Sequence, residues 1–564
     1  MIHLIKSYVV RCQDPVSIVI FVVFLLGGAS DFLGAFLASL ISVGFSVYYI
    51  CHNNRFYWGF DISMAIACLL GLGYFFSVFA AVDRGIALLG FFRIFAIFAF
   101  VLLLYQRSYA FEKANIWEVI PLSGAFSVVL ALLDMGLSLF THKLLFFQNG
   151  RLGCVMGYAN TYALWLLLGL LILAFRDKPN KLDYCLFALN ICGILLTISR
   201  SMFLLTAVFL VLLFLLRKSA RRMILSASLF SLLAGLLMSA ALGVGEWSRI
   251  AQLPNQAGEW LSRLVYYRDA LSQIILHPWG RGYLGYWYTQ PIWQTAFYEV
   301  RFVHSSLLQY ALDIGITPAL ILLGLGVFIV IRRKTPLMEK LILLLILGHS
   351  LIDIDLEFLV LIFIVCLCIK PDQPAAIPSR LPAMILLLLT LPLAYLSVAA
   401  FDAERREGGL AINMYPAYTE AWEKQLMIAP TLDQAAIYAQ RLLEGNPYNF
   451  VAIDTLARVC YRDNNFELAA ILKLKSLDIN RMFAEDYLEL LDICAAGYNN
   501  ELNSGNEQGV AYFRQILLSI PQRIQAVRDS LNADAYKLNH TPQLEIPDAA
   551  SDYIESLRQH ENQN

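Results

Sequence analysis

From about residue 16 to residue 400 the chain runs as apolar stretches broken by short polar segments. A membrane span needs about 20 mostly apolar residues. The stretches centre near residues 22, 41, 70, 95, 129, 166, 190, 209, 233, 322, 345, 363 and 390, which predicts up to thirteen transmembrane helices. Between the first two, Gly27, Gly28 and Asp31 make a tight turn that either joins two spans or interrupts one re-entrant segment. Because the apolar runs continue far beyond the first, that run reads as a retained span and not as a cleaved signal peptide. One long polar segment, 245–303, interrupts the series, and past residue 400 the pattern turns polar with helical periodicity. The predicted class is all-α. A polytopic bundle of about 12–13 transmembrane helices occupies residues 1–400, soluble helical repeats follow over 401–530, and a polar tail over 531–564 is expected to be poorly ordered.

Charge sets the expected orientation. Lys and Arg accumulate in cytoplasmic loops. With the N-terminus inside, the inner loops hold eighteen of them: Lys6 and Arg11; Arg55; Arg107 and Lys113; Arg176, Lys178 and Lys181; Arg217, Lys218, Arg221 and Arg222; Arg332, Arg333, Lys334 and Lys340; Lys370 and Arg380. The short outer connections hold only Arg84, Lys143, Arg151 and Arg200. The 245–303 loop and everything after the last span therefore face one compartment, outside the cytoplasm.

The charged fraction is 15%, against about a quarter in soluble domains, which excludes a soluble globule. A net charge of -1 with no basic stripe leaves no electrostatic footprint for nucleic acid. Most of the ten cysteines, among them Cys68, Cys185, Cys192, Cys366 and Cys368, lie in apolar runs, and no disulfide framework or zinc spacing emerges.

Within the polar C-terminal part, Ala435, Ala436 and Ile437 recur as Ala469, Ala470 and Ile471, and Asn446 recurs as Asn480. An offset of 34 residues is the period of tetratricopeptide (TPR) helix pairs, which stack into surfaces that bind proteins. Such a domain either docks a protein partner or caps the membrane bundle.

The outer loop carries the candidate chemistry. Trp260, Leu264, Tyr267, Leu271 and Ile274 step by fours and threes, which predicts an amphipathic helix at the membrane interface that Pro278 ends. It holds Arg263 and Arg268 at headgroup height. A glycine-punctuated turn follows at 277–283, and then His304 opens the next span. A histidine there can serve as general base near neutral pH, or simply cap a helix. Arg93 and Asp134 lie inside apolar runs, where ionisable groups are costly, and are expected to pair or to line a cavity. Asp353, Asp355 and Glu357, close to His349, fall at an outer helix end and offer a second possibility, a metal-dependent centre.

The order of these pieces is similar to that of the O-antigen ligase and polymerase superfamily. Arg263 through Leu271, then Pro278, Gly280 and Gly282, then His304-Ser305-Ser306-Leu307-Leu308-Gln309 with Gly315, resembles its main signature. Arg151-Leu152-Gly153 with Gly157 and Asn160-Thr161-Tyr162-Ala163 resembles its Arg-Gly-Asn-Ala element, and Thr197-Ile198-Ser199-Arg200-Ser201 its Ser-Arg turn. Ala159 stands where the family usually has Pro, and the TPR-like tail is an addition that many relatives lack. The likeness spans about residues 16–370.

The resemblance implies a bacterial inner-membrane glycosyltransferase that moves a glycan from undecaprenyl pyrophosphate to an acceptor, without nucleotide sugar, metal or other cofactor. The acceptor would be a lipid core, a protein or a wall polymer; a polymerase would extend a second lipid-linked chain instead. Arg200 and Arg263 would grip the pyrophosphate, with Arg268 and Arg151 as further ligands, and His304 would deprotonate the acceptor with inversion at the anomeric carbon. A transporter or flippase of lipid-linked saccharide would use the same arginines and break no bond.

Overall fold

A computed structural model describes residues 14–107, 116–242, 257–369, 374–535 and 544–561. Lys6, Arg11, Lys113 and Lys370 of the charge tally, residues 245–256 of the outer loop, and 536–543 and 562–564 of the tail lie outside the described residues.

Each of the thirteen expected centres falls on an apolar helix. In chain order these are α1 Pro15–Leu25, α2 Phe32–Asn53, α3 Ile62–Ala80, α4 Arg84–Arg107, α5 Val119–Thr141, α6 Ala159–Ala174, α7 Lys181–Thr197, α8 Arg200–Leu216 and α9 Arg221–Leu242. The outer loop contributes α10 Ala257–Leu276 and α11 Gly285–Trp293, and a short helix, α12 Ser306–Ile314, precedes α13 Ile316–Ile331. The bundle closes with α14 Leu337–His349, α15 Leu359–Cys368 and α16 Leu381–Arg405. Among the described residues five helices are individually long and apolar enough to cross a membrane, or six counting α8 with the start of α9, which bend by 113°.

Helix length and burial together explain that difference. The 11 residues of α1 reach only about 16 Å at 1.5 Å per residue, roughly half a bilayer core. The 10 residues of α15 reach less, and every one is buried, as are all 16 of α6. Short helices survive at that depth because their ends are enclosed by protein and not by lipid. Phe100 stacks on Phe363 with centroids 4.2 Å apart, and Phe24 on Trp165 at 4.9 Å, so α15 and α6 are packed from within the bundle.

His304 does not open a membrane span directly. Ser305 caps the nine-residue α12, and Gly315, at φ 96°, breaks it from α13. The glycine-punctuated turn fills that break: Arg281 and Gly282 donate to the carbonyls of Leu312 and Asp313, and Ile316 donates to that of Pro278. A Cβ on Gly280 would lie 2.4 Å from the Asp313 carbonyl oxygen, so these glycines are demanded by close backbone approach. Among the described residues the strands form two short ribbons. Phe56–Trp58 pairs with Ala375–Ile377, and Phe147–Gln148 pairs with Arg151–Leu152.

The two ends of the bundle differ. Arg107 bonds Asp14 at 2.6 Å, and Arg176 pairs with Asp183 at 2.9 Å and Glu118 at 3.3 Å, at the end where α1, α5 and α7 begin. At the opposite end the tail docks. Glu404, near the end of α16, accepts from the first N–H groups of α2, Phe32 and Leu33, at 2.9 and 3.2 Å. Thr419 bonds Asp83, and Arg301 pairs with Glu420 at 2.7 Å.

The tail continues as α17 Gly409–Met414, α18 Thr419–Met427, α19 Leu432–Gly445, α20 Phe450–Arg462, α21 Phe466–Ile479, α22 Ala484–Ser504 and α23 Glu507–Ser530. The helices α19 and α21, each 14 residues long, carry the repeated Ala-Ala-Ile, and Asn446 and Asn480 are their C-caps. Lys473 is buried among Asp454, Asp486 and Glu489, with its ammonium 3.1, 2.7 and 2.7 Å from their carboxylates. Within the stretch expected to be poorly ordered, α24 Asp548–Glu561 is helical, and Ile554 and Leu557 join the core of Phe513 and Leu517.

Candidate functional site

At the tail-side end of the bundle, side chains from three other places in the chain, 158–160, 263 and 304–306, converge on Asp353. This residue lies in the non-helical turn between α14 and α15 and is fully buried. Its Oδ1 accepts from the Tyr158 hydroxyl at 2.7 Å and from the Ile354 N–H at 2.9 Å, and lies 3.5 Å from His304 Nδ1. Its Oδ2 accepts from Asn160 Nδ2 at 2.7 Å and lies 3.5 Å from Arg263 Nη2. Burial alone would raise the pKa of this carboxyl. The hydrogen bond and charge of His304, with the charges of Arg263 and His349, outweigh burial and hold it well below the ordinary range. Asp353 is therefore an anion that organises the site.

Local backbone chemistry presents each partner. His304 has φ 34°, an uncommon value for a non-glycine residue and one seen at functional positions. It is held there by its own N–H to Phe302 and by Tyr267, whose hydroxyl donates to the His304 carbonyl at 2.7 Å. Ser306 locks α12 onto the Asp353 turn, donating through both N–H and Oγ to the Asp353 carbonyl at 3.0 Å. Tyr158 Oη also lies 3.3 Å from His304 Nδ1. Loss of solvation, then the Asp353 charge, pushes the Tyr158 pKa well up, so it stays a hydroxyl. His304 Nδ1 is turned to Tyr158 and Asp353, which leaves Nε2 on the other side of the ring.

The arginines approach through Asn160. Arg151 stands on the second strand of the ribbon whose turn is Asn149-Gly150; it donates to Asn160 Oδ1 at 2.7 Å and to the Thr197 carbonyl at 3.1 Å. Ser199 Oγ donates to the same Asn160 oxygen at 2.8 Å, and Arg200 follows as the first, half-buried residue of α8. Arg263 donates to the Ile352 carbonyl at 2.7 Å. Arg151, Arg263 and His304 thus share one network with the Ser199-Arg200 turn beside it. Arg268 is not in it and is exposed on α10. That helix buries Val265, Asp269, Ala270 and Ile274 and leaves Leu264, Leu271 and Ile275 outward, so its apolar stripe is divided between core and surroundings.

The acidic turn does not gather as one cluster. Asp355 bonds His349 Nδ1 at 2.5 Å and Thr161 Oγ1 at 2.8 Å, and Glu357 pairs with Arg93 at 3.2 Å. Arg93 also lies over the Tyr283 ring, and Asp134 instead accepts from the N–H groups of Leu145 and Phe146, so these two residues do not pair with each other. Tyr158, Asn160 and Tyr267 carry no chemical role legible in the sequence, where Asp353 reads as a possible cation ligand. Asn160 and Tyr267 fell inside recognisable motifs. Nothing in one-dimensional order tied Asp353 to His304.

A family model described as O-antigen ligase matches residues 185–323. The matched segment holds Arg200, Arg263, His304 and Gly315, and ends before Asp353. No curated protein and no solved structure matches the chain. The chain is thus a membrane-type bundle of apolar helices that holds a segment similar to the O-antigen ligase family.

Proposed function

We propose that the chain transfers a glycan from an undecaprenyl-pyrophosphate donor to an acceptor outside the cytoplasm of a bacterium, with the basic end of the bundle cytoplasmic and the TPR-like tail on the far side. The observation that carries this reading is the shared Asp353, which engages His304 on one oxygen and Arg263 on the other. His304 Nε2 takes the proton of the acceptor hydroxyl as that oxygen bonds to the anomeric carbon. The carbon–oxygen bond to the pyrophosphate breaks on the opposite face, and undecaprenyl pyrophosphate leaves with the electron pair, so the configuration inverts. Arg263 and Arg151, with Arg200 alongside, meet the charge on the leaving group through forked donors. No metal is needed for that step.

His304→Ala and Arg263→Ala test the assignment. Both variants should fold and insert, yet lose surface glycan while the lipid-linked donor accumulates. Normal glycan in both would refute the roles. With purified protein, donor and acceptor, the enzyme reading requires release of undecaprenyl pyrophosphate; an intact linkage would mark a transporter.

A further inference from the structure

A cavity of about 830 Å³ lies between the helix bundle and the first helices of the tail, within the size range of small-molecule sites. One wall is the back of the site just described. Phe302 stands two residues before His304, Ile354 directly follows Asp353, and the Phe358 ring lies 6.3 Å from that of Tyr158. The bundle adds Tyr283 and Trp287, and the tail adds Tyr418.

Six carboxylates and four basic side chains line the space. Asp31 pairs with Arg405 and Glu420 with Arg301, while Glu404 is spent on the N-terminus of α2. Glu357 is taken by Arg93, which leaves Glu407 and Glu423 against Arg406 and Lys424, so the lining has no surplus charge of either sign to hold an ion. Tyr418 is 1% exposed, held edge-on to Phe32, and its hydroxyl has no hydrogen-bond partner among the described residues. A buried hydroxyl left unpaired is costly, and a ligand hydroxyl would satisfy it. Aromatic faces suit the C–H faces of sugar rings, while carboxylates and guanidinium groups exchange hydrogen bonds with sugar hydroxyls.

We infer that this interdomain cavity is a saccharide site, taking uncharged, hydroxyl-rich sugar residues next to the reacting bond. This rests on the transferase reading, and either the donor glycan or the acceptor glycan could supply those residues. The full chain in lipid nanodiscs is titrated calorimetrically with two probes: the oligosaccharide freed by mild acid from the host's lipid-linked pool, and the oligosaccharide cleaved from its finished surface glycan. At least one should bind. Tyr418→Phe, which keeps the ring and its packing, should weaken binding about threefold to tenfold, and Trp287→Ala should weaken it at least as much. His304→Ala should bind normally. The probe that responds identifies the source. Wild-type affinity in both cavity variants, or no binding of either probe, overturns the saccharide site and leaves the transferase reading standing. Binding lost in the cavity variants, with no undecaprenyl pyrophosphate ever released by wild type, upholds the site and sinks the transferase.

Discussion

Replacing Asp353 by Asn keeps the shape of the side chain and removes the charge on which the site is built. An amide can leave its oxygen at the Oδ1 position, still accepting from Tyr158 and Ile354. Its NH₂ then points at Asn160 Nδ2 and Arg263, where two donors meet a donor. One short hydrogen bond and one ion pair are lost at a fully buried position, which should cost about 2–4 kcal/mol of stability. The chemical loss should be larger. His304 would no longer have a negative charge beside Nδ1 to balance the imidazolium formed as the acceptor loses its proton. A positioned general base is worth about 10²–10⁴ in rate, and we expect kcat to fall within that range. The assay is release of undecaprenyl pyrophosphate by the purified protein, with thermal unfolding measured alongside. A folded Asp353→Asn protein turning over within about threefold of wild type would refute the organising role.

Three further outcomes follow from other parts of the molecule. Gly280→Ala places a methyl 2.4 Å from the Asp313 carbonyl oxygen at φ 82°, so we expect a loss of roughly 2–4 kcal/mol in thermal unfolding; an unchanged Tm would show that the turn is free to move. Burial pushes the Asp83 pKa up to about 6, with the Ile86 N–H and Thr419 opposing and the Glu420 charge adding to the rise. A carboxyl raised on folding stabilises fully below its unfolded value near 4 and loses that contribution as pH climbs through about 6, here up to about 3 kcal/mol. Melting of Asp83→Asn against wild type from pH 4 to 8 should isolate this slope, and parallel curves would contradict it. Lys473→Ala leaves Asp454, Asp486 and Glu489 facing one another without their cation, so the tail should lose about 1–3 kcal/mol in denaturant unfolding and regain part of it in millimolar calcium.

The sequence by itself determined the elements. Thirteen apolar runs became helices at the expected centres because hydrophobic length and backbone self-satisfaction leave a membrane chain little alternative. The 34-residue offset reappeared as two equal helices with the same Asn cap, since that periodicity is local. What only the tertiary structure decided is which polar groups meet. Ser306 clamps the Asp353 turn to His304 from 47 residues away, Asn160 bridges Arg151 to Asp353, and the acidic turn sends its three carboxylates to three different sets of partners. A carboxylate's partner depends on which helix ends are brought to one depth in the bundle. That is fixed by packing of short buried helices such as α15, through contacts whose energies are shared among many residues and leave no local mark in the chain.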